Sequence, residues 1–157
     1  MKKMTNNSTK GTATEVKVFF DLSPVDDWPP FASEYLWATP LKDDLYKINN
    51  VPFFADDVSY SDVVRAKSLG SRLTYLEVVF PSKNTTLRVF CFDANKRERF
   101  LDILEKYKCI YEGAYDQEYI VANLDISVLD KIEVELLSLE ELEVFEYEFS
   151  CLRRSEE

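Results

Sequence analysis

A chain of 157 residues that is 46% apolar, with 11 Phe, 9 Tyr and 2 Trp, can bury one medium core or two small ones, which excludes disorder along its whole length. It contains no histidine, and that removes Ser-His-Asp and Cys-His catalysis and nearly all zinc enzymes, which need imidazole as base or ligand. The net charge is −10, and only 3 Gly are present, too few for a Gly-rich phosphate-cradling loop.

Residues 1–14 carry lysines with no apolar stretch behind them, so they read as a polar, flexible tail and not as a secretory signal. Glu15 to Leu22 alternates as a strand, with Val16, Val18, Phe20 and Leu22 on one face and Phe19 breaking the polar pattern of the other. Asp26-Asp27-Trp28-Pro29-Pro30 punctuates a loop, since paired prolines cannot donate to a ladder. Glu34 to Thr39 and Leu45 to Ile48 predict a hairpin turned at Lys42-Asp43-Asp44. Val63 to Ser68 and Arg72 to Phe80 predict a second, joined around Gly70. Five short strands with tight turns predict a small, strongly bent sheet or a partly open barrel over 15–82.

From residue 83 the rhythm changes. A strand over Thr85 to Phe92 leads to Asp93, a cap for a helix over Ala94 to Lys108. Short strands follow at Ile110 to Ala114 and Glu118 to Asn123. A second helix is expected over Ile126 to Ser138, capped by Asp125 or Ser127, and a last strand over Glu143 to Phe149 with Phe145, Tyr147 and Phe149 inward. This β-α-β-β-α-β order predicts a ferredoxin-like unit over 83–152, followed by a short tail at 153–157. The fold class is therefore α+β, a small β-rich, barrel-like N-terminal half expected to pack on a ferredoxin-like C-terminal half. Cys91, Cys109 and Cys151 are widely spaced and read as reduced thiols of a cytoplasmic protein. No apolar run approaches the roughly 20 residues that span a bilayer.

The segments Leu36-Trp37-Ala38, Leu45-Tyr46-Lys47-Ile48-Asn49-Asn50-Val51-Pro52-Phe53-Phe54-Ala55 and Val58-Ser59-Tyr60-Ser61-Asp62-Val63-Val64 resemble a bacterial domain family of unknown function. The resemblance implies a β-rich half followed by a βα-rich half, and no activity. Members often carry a His before a Ser/Thr-Thr-x-Arg-Val stretch, where this chain has Lys83-Asn84-Thr85-Thr86-Leu87-Arg88-Val89. From the residues alone, Pro52-Phe53-Phe54 reads as an extended aromatic segment packing under the barrel, with an aromatic-lined ligand groove as the other reading. Asp62 reads as a turn or cap residue.

The charge is uneven. From Tyr111 to Ser150 twelve acids stand against one base, Lys131, whereas Met1 to Ile110 has sixteen bases and fifteen acids. Such a surface repels nucleic acid and draws cationic partners. Plain solubility and edge-strand protection are the bland explanation. The functional one is a protein-binding inhibitor, an immunity protein neutralising a cognate bacterial toxin, with a basic nuclease as the expected class. Its partner-binding residues would be Tyr115, Asp116, Glu118, Glu143, Glu146, Tyr147 and Glu148. A ligand-sensing regulatory domain without catalytic activity is the alternative, and an enzyme using carboxylates alone ranks third. No cofactor, metal, membrane or direct nucleic-acid partner is expected. The pairs Asp26-Asp27, Asp43-Asp44 and Asp56-Asp57 lack the spacing of a calcium loop.

Overall fold

The computed structural model describes residues 4–5, 14–140 and 145–155. The chain is mixed α+β and mostly β, with two sheets, and it divides between Ser82 and Lys83 into two compact units.

One unit spans 14–82. Strands β2 (Val16–Asp21), β3 (Ser33–Pro40), β4 (Leu45–Ile48), β5 (Val63–Leu69) and β6 (Arg72–Phe80) run as an antiparallel meander and close into a barrel. The closure is a parallel contact of Phe19 with Thr74. Period-2 alternation sends Val18, Phe20, Leu36, Ala38, Val64 and Ala66 inward, and Lys17, Phe19, Tyr35 and Trp37 outward.

Aspartate supplies the turns in this glycine-poor chain. Asp26-Asp27 and Asp43-Asp44 sit at the centres of tight turns with every φ between 53° and 62°, the left-handed region that Asp tolerates better than most residues. Gly70 serves the β5–β6 turn at φ 63°; a Cβ there would meet nothing within 4 Å, so the backbone angle alone calls for glycine.

Two buried carboxylates pin the family-like segments. Glu34, on the inward face of β3, accepts from Phe53 N at 2.7 Å, Phe54 N at 2.9 Å and Ala55 N at 3.0 Å. Asp62 accepts from Ser59 N at 2.9 Å and Ser82 N at 2.8 Å, which bears out its reading as a turn residue. Val51, Phe53, Phe54 and Val58 are buried, and Trp28 packs edge-on against Phe54 at 5.7 Å. The aromatic segment is thus core, and its rings are not offered as the walls of an open groove.

The other unit spans 83–155 together with β1 (Met4–Thr5). Its strands β7 (Asn84–Cys91), β8 (Tyr111–Ala114), β9 (Tyr119–Asp125) and β10 (Phe145–Cys151) form one antiparallel sheet in the order β1-β8-β9-β7-β10. Helices α1 (Ala94–Lys106) and α2 (Leu129–Glu140) share a core with Leu87, Val89, Ile120, Ala122 and Phe145, which places both helices on one face of the sheet. Asp93 caps α1 by accepting from Asn95 N and Lys96 N. Asp125 accepts from Ser127 N, but it holds a turn, and α2 begins at Leu129, three residues later than expected.

Residues near both ends of the chain pair within this unit. Met4–Thr5 is a strand paired with Glu112 and Gly113, because the edge of β8 offers backbone groups to any extended partner whatever its side chains. At the other end Arg153 N donates to Thr85 Oγ1 at 2.8 Å and Arg154 is ion-paired to α2, so 153–154 is part of the unit.

Candidate functional site on the acidic C-terminal unit

The acids counted along the sequence separate in space. Strand alternation points Glu146 and Glu148 away from the face covered by the helices, because Phe145, Tyr147 and Phe149 take the core side. Both glutamates are exposed on β10, which forms an edge of its sheet. Glu148 is tied to the buried Arg88 of β7 at 3.3 Å. Glu143 lies outside the described residues.

Tyr115, Asp116 and Glu118 belong to the β8–β9 turn. Tyr115, Asp116 and Gln117 all have positive φ, a conformation that disfavours L residues by about 1–2 kcal/mol each. Tyr115 and Asp116 are exposed, while Glu118 is half-buried and its carbonyl accepts from Cys91 N. Cys91 also pairs with Phe145, so this turn and the start of β10 lie at the same end of the sheet, about 10 Å apart as two strand spacings. Asp116, Glu118 and Glu146 are therefore brought to one end.

Tyr147 is not an outward anchor. Its ring lies 6.0 Å from Phe145 and 5.9 Å from Phe149 against the helical core. Burial, with Glu140 and Glu133 nearby, pushes its phenol above the ordinary range.

The helical face holds the densest group of carboxylates. Asp130, Glu133, Glu135 and Glu140 all lie on α2, whose last turn has no base. Two bases answer part of this charge. Arg154 pairs with Asp130 at 3.3 Å and with Glu133, and the Glu133 carboxylate raises its pKa. Lys106 of α1 meets Glu135 at 3.1 Å. Tyr107 as hydrogen-bond donor, followed by Lys106, holds the Glu135 carboxyl below the ordinary range against its desolvation. Among the described residues no group of three or more Asp, Glu or Cys is arranged to hold a metal ion.

Sequence reasoning missed the Glu34 clamp and the cation-topped strip outside the barrel. In that strip Lys17 Nζ sits 4.5 Å from the Tyr35 ring and 5.5 Å from Trp37, and Arg72 lies 4.7 Å from Phe19. Phe19 breaking the alternation of β2 was the available signal for the strip.

Residues 34–146 match the family described as Domain of unknown function (DUF4265). The chain belongs to that family. Its DUF4265 region opens at the clamp residue Glu34 and takes in Asp62, both helices and the start of β10. A solved structure of a hypothetical protein from Neisseria gonorrhoeae resembles it with a TM-score of 0.70 and 19% identity, over 94% of this chain and 100% of that one. At that identity the likeness speaks for the fold. No curated protein matches the chain significantly. Among the described residues, no helix of this DUF4265 protein is long and apolar enough to cross a membrane.

Proposed function

We propose that this protein binds and inhibits a cationic protein partner, as an immunity protein neutralising a toxin, with a basic nuclease the expected class. The observation that carries the reading is the run from Leu129 to Ser150, where eight acids stand against one base. Within it Asp130, Glu140 and Glu146 are exposed on a helix and an edge strand. Carboxylates placed this way speed and orient encounter with a positive surface. The strand order β8-β9-β7-β10, with both helices on one face, supports a ferredoxin-like reading of this unit, a scaffold suited to presenting an edge and a helical face.

The test is co-expression with the product of the adjacent gene, scoring complex formation and rescue of growth. The charge argument is probed with Glu140→Lys/Glu146→Lys. Glu148 is left in place because a lysine there would face Arg88. Association at low salt should slow about tenfold or more, with the effect shrinking as salt is added. No complex, or rates insensitive to the double reversal, refutes the reading.

One observation favours the alternative, a ligand-sensing domain. Tyr35 and Trp37 are 38% and 36% exposed on the barrel and stand edge-to-face at 6.0 Å beneath Lys17. Such a strip suits a flat anionic ligand. Thermal shift against a metabolite panel distinguishes the two, since a ligand at 100 times its dissociation constant adds about 2.7 kcal/mol.

A further inference from the structure

Helix α2 carries apolar residues that its own fold does not use. Its inner stripe is complete, with Leu129, Ile132, Leu136 and Leu139 buried at 1% exposure or less. Yet Val134 is 69% exposed and Leu137 56% exposed, three residues apart on the opposite face. Val is a poor helix former, and at an exposed position no packing compensates for that. The neighbouring α1, of similar length, is the internal comparison: its exposed positions are Ala94, Asn95, Glu98, Arg99, Asp102, Glu105 and Lys106, with no large apolar residue.

One charge beside this face, Glu140, is also unfavourable to the helix itself. Glu140 stands in the last turn, where the macrodipole is negative and no base offsets it. Asp130 keeps a side chain 88% exposed despite its pairing with Arg154. The frame also holds the exposed Lys131, three residues before Val134, and Arg154, paired to Asp130 and Glu133, so three carboxylates stand against two bases. An apolar centre inside a charged, net acidic frame is the arrangement of a protein-binding face, with apolar contact at the middle and charge at the rim.

From this we infer that the outward face of α2, centred on Val134 and Leu137 and framed by Asp130, Glu133 and Glu140, docks an apolar surface flanked by lysine or arginine on the partner protein. This rests on the inhibitor reading and assigns its contact surface. A second copy of this chain is the disfavoured occupant, because two net acidic frames would oppose each other.

The experiment uses the full chain and the adjacent gene's product, comparing Val134→Ser/Leu137→Ser with Leu41→Ser/Leu69→Ser, a control pair 49% and 58% exposed on the barrel unit. Circular dichroism confirms that both variants fold. The α2 pair should weaken binding at least about tenfold, leaving the control pair at the wild-type dissociation constant. A complex that forms with wild-type affinity in the α2 variant overturns the inference and leaves the inhibitor reading standing, as does equal weakening by the control. Failure of the wild-type chain to bind overturns both. Concentration-dependent dimerisation of the wild-type chain that the α2 variant abolishes identifies a second copy as the occupant and overturns the inference as well.

Discussion

Glu34→Gln isolates the clamp on the aromatic segment. The substitution preserves shape but exchanges one acceptor oxygen for an NH2 donor. Two of the three backbone N–H groups, Phe54 and Ala55, bond the same carboxylate oxygen, Oε2. The amide therefore does least harm with its carbonyl there and its NH2 against Phe53 N, which then loses its 2.7 Å bond. Losing one charge-assisted bond and weakening two others in a buried site should destabilise the barrel unit by about 2–4 kcal/mol. That is a large share of the roughly 5–15 kcal/mol that holds a domain together, so Ala is too severe a replacement to measure. Both tryptophans, Trp28 and Trp37, lie in this unit, so intrinsic fluorescence during urea unfolding reports on it selectively. The midpoint should fall by roughly 1–3 M. The exposed Glu77→Gln, on β6, should stay within about 0.5 kcal/mol of wild type. A Glu34→Gln midpoint inside that control range would show that the three bonds are not what secures the segment.

Two further outcomes follow from burial and titration. Hydrogen bonds from the Ser127 hydroxyl and backbone N–H, with Lys83 nearby, hold the Asp125 carboxyl below its ordinary range against a small desolvation. A depressed folded value contributes stability that is fully present above the unfolded value of about 3.9 and is lost as pH falls through the folded value. The stability difference between wild type and Asp125→Asn should thus be constant from neutrality to about pH 5 and shrink below it. Equal differences at pH 7 and pH 3, read by circular dichroism in urea, would contradict this. All three cysteines are buried, and burial pushes the Cys109 thiol up to about 11. Ellman's reagent at pH 8 should label the native protein only as fast as it unfolds, and rapid stoichiometric labelling would be inconsistent with these positions.

Much of the local structure was legible because it depends on near neighbours in the chain. Alternation in Glu15 to Leu22 and in Phe145 to Phe149 assigned faces that the sheet pairings bear out. Asp93 capped the helix that its position before an apolar stripe announced. Glu34 was also open to inference, since it falls on the same period-2 face as Leu36 and Ala38, where a charge must find partners. Its partners lie 19 to 21 residues further along, and nothing in the intervening residues identifies them.

Charge behaved differently. Counting residues located the excess of acid near the end of the chain, a property of composition that folding leaves unchanged. Topology then distributed it: α2 went to the helical face, β10 turned Glu146 and Glu148 to the other, and the 115–118 turn went to the end of the sheet. Arg88, Lys106 and Arg154, scattered along 66 residues of chain, each met a carboxylate only once strands and helices had packed. Local order needs only contacts a few residues apart, so sequence alone determined it. The shape of the acidic surface depends on which distant segments become neighbours, and that was decided by burying the apolar faces of both helices against one sheet.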